Sequence, residues 1–170
     1  AYGAETFARQ VLFEDHSTSG PEIDHLGESW ARQVLPFELD DIGYMEAQIT
    51  DLNGCFNLNS LAATDDIVQK RSLKRLKRML RELQINEAFA DNVRDWVDAD
   101  DRVNGFGAED TTYLGKFPPH RAANTTISHG SELFLLDIAE PEQVRRLLPY
   151  VCLLPFTDNN INVNTANALT

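Results

Sequence analysis

Between Trp96 and Tyr113 the chain reads WVDADDRVNGFGAEDTTY, which sets Asp98, Asp100, Asp101, Glu109 and Asp110 around a short loop containing Gly105 and Gly107. Phe89, Val93, Trp96 and Val97 repeat at helical spacing just ahead of this run. The first aspartates therefore fall at a helix C-terminus, where the macrodipole is already negative. Crowding five carboxylates at that end costs free energy unless a cation offsets it. Solvation of the whole cluster is the ordinary fate of such charge. The donor chemistry favours an ion instead. Oxygen ligands alone, with no cysteine and no adjacent histidine, suit a hard cation, and a flexible cage of about six to eight ligands suits calcium better than the octahedral shell of magnesium.

The EF-hand template does not fit. With Asp98 at the first position, Asp100 and Glu109 occupy the third and twelfth as that loop requires, but the fifth and sixth are Arg102 and Val103. Arginine offers no oxygen, and valine resists the left-handed turn that the template's glycine supplies. Gly105 and Gly107 place the sharp turn later, and Asp110 adds a carboxylate the template lacks.

At 170 residues the chain can bury one sizeable core or two small ones. Its formal net charge of −12 argues against nucleic acid as a partner. One basic run exists, in which Lys70, Arg71, Lys74, Arg75, Lys77, Arg78 and Arg81 interleave with Leu73, Leu76, Leu80 and Leu83. That spacing predicts an amphipathic helix with a cationic, solvated outer face. No run of about eighteen apolar residues is present to span a membrane. Ala4, Phe7, Ala8, Val11 and Leu12 form a helical stripe, and the absence of an initial methionine predicts that this helix continues upstream of Ala1. Cys55 and Cys152 are compatible with a disulfide or with two buried thiols; export would favour the bond.

Polar residues Ser17, Thr18, Ser19, Gly20 and Pro21 predict a mobile loop after the first helix. Ile23, Leu26, Trp30 and Val34 predict a second helix ended by Pro36. Met45, Ala47 and Ile49 alternate with polar neighbours, and Asn53-Gly54 then separates them from Cys55 to Leu58, which predicts a hairpin over 44–59. Helical patterns follow over 65–97, 132–136 and 141–151. The segment 104–129, with Pro118 and Pro119, reads as a long ordered loop, an uncommon feature that is often functional. Phe56-Asn57-Leu58-Asn59-Ser60 returns as Ile161-Asn162-Val163-Asn164-Thr165, each copy ending in a residue able to cap a helix. The repeat predicts that the natural chain continues past Thr170.

Taken in order, DLNGCFNLNSL at 51–61, the WVDADD and GAED..Y elements within 96–113, Asn124, Ser131-Glu132-Leu133 and INVNTA at 161–166 resemble the minor pseudopilin K family of bacterial type II secretion systems, along nearly the whole chain. The resemblance implies an α+β fold: a pilin-like long N-terminal helix on a small antiparallel sheet, with a large inserted, mainly α-helical domain. It divides the chain into a pseudopilin core at 1–59, the inserted domain at 60–160 and the start of a second helical repeat at 161–170. It implies a non-enzymatic component of the pseudopilus tip, assembled with the minor pseudopilins I and J and the pseudopilus fibre. Such a protein is periplasmic and anchored to the inner membrane through an N-terminal segment outside these residues. It also implies one or two Ca2+ ions held by Asp98, Asp100, Glu109 and Asp110, with Asp101, Asn104 and Asn124 as secondary ligands. Phe7, Val11 and Leu12 would then face partner helices.

Two rivals come from other classes. Close carboxylates serve as acid and base in glycoside hydrolysis, but His16, His25, His120 and His129 form no triad or metal spacing with a flanking nucleophile. Asparagine repeats before helices also occur in helix-hairpin-helix nucleic-acid modules, yet Gln84-Ile85-Asn86 after the basic helix offers no glycine turn for phosphate.

Overall fold

Apolar stripes on two successive helices, the second leading into the acidic loop, organise the larger part of this α+β chain. The computed structural model describes residues 2–20, 23–32, 37–39, 43–158 and 160–170. These divide into two compact units, one formed by 1–54 with 162–166 and the other by 55–161 with 167–170.

In the first unit, helix α1 (Tyr2–Ser19) half-buries Ala4, Phe7, Ala8 and Val11, while Leu12 and Phe13 are 45% and 67% exposed. The predicted loop at Ser17 to Ser19 is instead the last turn of α1. Ser17 Oγ donates to the Phe13 carbonyl and Thr18 Oγ1 to that of Glu14, so the hydroxyls cap the helix from within. Gly20, at φ +86°, ends it, and Pro21 lies outside the described residues.

The predicted second helix is not formed over 23–32, which runs through turns. Trp30 is buried there, its indole N–H donating to Glu28 Oε2 at 2.9 Å, but Ile23 and Leu26 are both exposed. Its apolar spacing thus lacks a surface to bury three residues together. Val34 and Pro36 lie outside the described residues.

The predicted hairpin over 44–59 is also overturned. Strand β2 (Gly43–Met45) pairs antiparallel with β1 (Phe37–Leu39), with Glu38 opposite Tyr44. Asn53 and Gly54 sit in a single 3-10 turn, Leu52–Gly54, and Gly54 is held against Thr165, whose carbonyl oxygen would lie 2.9 Å from an added Cβ. The second asparagine copy returns to this place. Asn162 N–H donates to the Asn53 carbonyl at 2.9 Å, and Asp51 Oδ2 accepts from Thr165 Oγ1 and Asn162 Nδ2. No helix follows it through Thr170 among the described residues; the segment 163–169 makes turns.

The second unit begins at Cys55. Strand β3 (Phe56–Asn57) pairs in parallel with β4 (Val151–Cys152), and Cys55 and Cys152 form a disulfide with Cα atoms 5.7 Å apart. Between them lie α2 (Asp66–Glu82), α3 (Ala88–Val97), the one-turn α4 (Asp110–Tyr113) and α5 (Pro141–Leu147). Asp65 caps α2, accepting from the N–H groups of Ile67 and Val68. Leu76, Met79 and Leu80 of α2 meet Phe89, Val93, Trp96 and Val97 of α3 in one buried cluster with Phe56, Leu58, Leu61, Tyr113, Ile127, Leu133 and Leu147.

Gln84 adopts φ +55° between α2 and α3, where glycine is the usual choice. Gln84 N–H bonds to the Arg81 carbonyl and Ile85 N–H to that of Leu80, and Ile85 packs into the core. These are the bonds of a Schellman closure, so a polar residue turns the chain without glycine. The predicted helix at 132–136 is a 3-10 turn (Gly130–Phe134), capped reciprocally by His129 and Glu132. The pattern over 141–151 divides into α5, a 3-10 turn (Leu148–Tyr150) and β4. Residues 104–129 are irregular except for α4, as their sequence predicts.

Buried asparagines tie this unit together. Asn59 Nδ2 donates to the carbonyls of Ile127 and Leu154, and its Oδ1 accepts from Ile127 N–H at 2.8 Å. Asn57 Nδ2 donates to Phe156 and Asp158 carbonyls, while its Oδ1 accepts from Leu154 N–H.

Candidate cation site

Helix α3 buries an apolar face and carries acids on another: Asp91, Asp95 and Asp98 recur at i, i+4 and i+7, one side of the helix. Each helps shape the loop that follows. Asp91 pairs with Lys77 at 2.6 Å, and its Oδ2 accepts from Phe106 N–H. Asp95 is fully buried; Oδ2 accepts from Asn104 N–H at 3.0 Å and Oδ1 from Asn104 Nδ2 at 3.1 Å. Burial raises the Asp95 pKa despite those donors. Gly105, at φ +60°, and Gly107 let the backbone pass against these carboxylates. A Cβ on Gly105 would come within 2.8 Å of Asp91 Oδ2, and one on Gly107 would collide with the Asp95 carboxylate.

Glu109 ends this loop, 2% exposed, and neither of its carboxylate oxygens has a hydrogen-bond donor. Burial, followed by the charges of Asp95, Asp98, Asp101 and Asp100, pushes its pKa up to about 7. Asp98 Oδ1 is likewise buried without a donor, and burial together with Asp100 and Asp95 raises its pKa to about 6. Asn124 contributes a third orphan. Held at φ +46°, it donates Nδ2 to Asp101 Oδ1 at 3.1 Å while its own Oδ1 is buried with no partner.

Native proteins rarely leave buried acceptors without donors. Here four such oxygens, from Glu109, Asp98 and Asn124, belong to one neighbourhood of mutually repelling acids. A hard cation satisfies oxygen acceptors that no N–H reaches, and removes the repulsion in the same step. The residues present therefore fit calcium.

Of the other residues read from sequence, Asp100 and Asp101 are exposed at the rim, and Asp100 Oδ1 accepts from Arg102 N–H. Asn104 spends its amide on Asp95, Asp98 and the Arg102 carbonyl. Asp110 stands apart: it forms an ion pair with Arg121 and accepts from Ala122 N–H, bracing the far side of the loop. Asp95 was not among the residues singled out from sequence, although its spacing from Asp98 would have marked it. Phe7, Val11 and Leu12 belong to the other unit.

Three of the four histidines hold backbone. His129 caps the 3-10 turn over 130–134, His120 reaches the Pro118 and Leu135 carbonyls, and His25 Nδ1 accepts from Gly27 N–H. A second group of acids, Asp15, Asp24 and Glu28, is the one set among the described residues with three carboxylate oxygens mutually within 4.8 Å. Glu28 Oε2 is already held there by His25 N–H and Trp30 Nε1, so that group shows none of the orphaned acceptors found around Glu109.

The sequence profile described as "Type II secretion system (T2SS), protein K" matches residues 54–156, the span that builds this site. The chain belongs to the type II secretion protein K family. It is 43% identical, over 98% of its length, to the type II secretion system protein K of Pseudomonas aeruginosa, and 37% identical to that of Klebsiella pneumoniae over 97%. It spans about half of each relative, 52% in both cases. A solved structure, the GspK-GspI-GspJ complex from enterotoxigenic Escherichia coli, contains a chain that superposes with TM-score 0.88 at 28% identity, covering 98% of this chain and 60% of that one.

Proposed function

We propose that the chain is part of a minor pseudopilin of the periplasmic pseudopilus tip, a non-enzymatic scaffold that assembles with the minor pseudopilins I and J, and that its helical unit is fastened by calcium. The observation that carries the calcium reading is the buried Glu109, whose two oxygens lack any donor. Glu109 and Asp98 would be the inner ligands, with Asn124, Asp95 and Asp100 beside them and Asp101, Asn104 and Asp110 ordering the surrounding loop. Bound calcium would supply the positive charge that lets these acids remain ionised together.

The partner reading draws on family membership and on a solved relative captured as a complex with I and J proteins. The half-exposed stripe on α1 supports it. Leu12 and Phe13 stay largely uncovered, as a helix made to pack beside other helices requires. In this reading α1 and the strands β1 and β2 belong to a pilin-like core that a membrane anchor precedes. No described helix is itself long and apolar enough to cross a membrane.

Co-purification of the full-length protein with I and J pseudopilins, with calcium determined on the same sample, tests both halves. Stoichiometric calcium and a stable complex are expected, and at a hundredfold excess over Kd the ion adds about 2.7 kcal/mol to stability. Metal-free protein whose melting temperature ignores EDTA would remove the calcium half. Failure to bind either pseudopilin would remove the other.

A further inference from the structure

Helix α2 carries seven of the chain's fifteen lysines and arginines, and they sort into two arcs. At roughly 100° per residue, Lys70, Lys77 and Arg81 share one arc, and each meets a carboxylate: Asp66 at 3.4 Å, Asp91 at 2.6 Å and Glu87 at 2.9 Å respectively. Arg71, Lys74, Arg75 and Arg78 share the neighbouring arc. All four are exposed, and among the described residues none of their side chains makes an ion pair or hydrogen bond. With 27 acidic groups in the chain, charge pairing within the molecule does not require them to stand free.

One end of this stripe is apolar and the other opens on a cavity of mixed lining. Ile67, on the same arc, is 69% exposed at one end. At the other, a cavity of about 460 Å³ is lined by Met79 and Leu169 together with Arg75, Arg78 and Glu82. Charge selects an anionic occupant and geometry selects a narrow one. A bilayer or a duplex presents a broad negative surface that would press on the rest of a molecule of net charge −12. A single polypeptide segment touches the stripe alone.

We propose that this stripe docks a short acidic segment of a protein partner, its carboxylates meeting Arg71, Lys74, Arg75 and Arg78 and one apolar side chain entering the cavity beside Met79 and Leu169. The seven-residue spacing from Arg71 to Arg78 covers about 10 Å along the helix, the reach of three extended residues. Such contacts steer encounter and weaken with salt, as charge pairs at an interface rim do.

The test uses the full-length chain and a short fluorescent peptide of repeating Glu-Glu-Leu, with its Gln-Gln-Leu counterpart as control. Saturable, salt-sensitive binding of the acidic peptide alone is expected. Joint replacement Arg71→Ala, Lys74→Ala, Arg75→Ala and Arg78→Ala should weaken it roughly tenfold or more, while Lys70→Ala leaves it unchanged. The milder pair Arg71→Gln and Lys74→Gln, checked for native helicity, guards against a folding defect and should weaken binding in the same direction. Amine labelling of Lys74 in the free chain should be rapid. Equal binding of the glutamine peptide, equal loss in Lys70→Ala, binding of phosphatidylglycerol vesicles but not of peptide, self-association through the stripe, or protection of Lys74 by the chain's own remaining residues would each overturn the proposal.

Discussion

A single amide can hold segments that the sequence keeps far apart. Asn59 bonds Ile127 and Leu154, partners 68 and 95 residues away, and all three groups it satisfies are backbone. Asn59→Ala would leave those groups without a partner in a dry interior, at roughly 3 to 5 kcal/mol. A urea titration should show the midpoint falling with little change in slope. The asparagine repeat was visible in the sequence, but the cap falls at Asn57, which accepts from Asn59 N–H, and not at the terminal Ser60, which lies inside the 3-10 turn Leu58–Ala62. Its stapling role was not legible, because nothing local encodes a carbonyl on a distant loop. Asp95 was not legible for a different reason: it lies inside the apolar run that marks the helix, about one turn before the crowded end at Asp98.

At the scale of elements, long periodic segments were legible and short ones were not. Helices α2 and α3 each present several turns of apolar residues, so tertiary packing and local preference agree. Strands of two or three residues carry no comparable signal, and the Asn53-Gly54 turn is spent on contact with Thr165 instead of a hairpin. The acidic loop was legible as an element because its charge demanded explanation. Its path depends on the space left by Gly107, whose missing Cβ also leaves room for the Asp91 carbonyl, 2.9 Å from where that Cβ would sit. Gly107→Ala should destabilise the helical unit by about 2 kcal/mol through overpacking. It should also weaken calcium binding by displacing Asp95, measured by calorimetric titration against the parent protein.

For the whole molecule, the raised carboxyl groups make stability depend on pH in a direction that a bound cation would oppose. Glu109 and Asp98 bind protons more tightly folded than unfolded, so their contribution is fully present in acid and is lost as pH rises, from about 4 to about 6 for Asp98 and up to about 7 for Glu109. Glu132 and Asp51 shift the other way. Burial opposes their ionisation, but the donors around each prevail and hold the pKa below its usual value, so their contribution is lost only in stronger acid. Calcium-free protein should therefore melt lower near pH 7.5 than near pH 5.5, and the rise in melting temperature on adding calcium should grow over the same interval as protons cease to compete. Differential scanning calorimetry in EDTA and in calcium checks both slopes. Reduction of Cys55–Cys152, which closes a 97-residue separation, should cost about 4.7 kcal/mol in the chain-entropy model, read as a lowered denaturation midpoint under dithiothreitol.

That bridge has a mechanical corollary. Strand β3 carries the chain into the helical unit and β4, parallel to it, carries the chain onward after the last helix, with the disulfide joining the two. Traction applied to the polypeptide before Cys55 and after Cys152 would run through a covalent shunt and bypass every helix between them. A tugged molecule would keep its bundle as untensioned cargo on an unbroken cable.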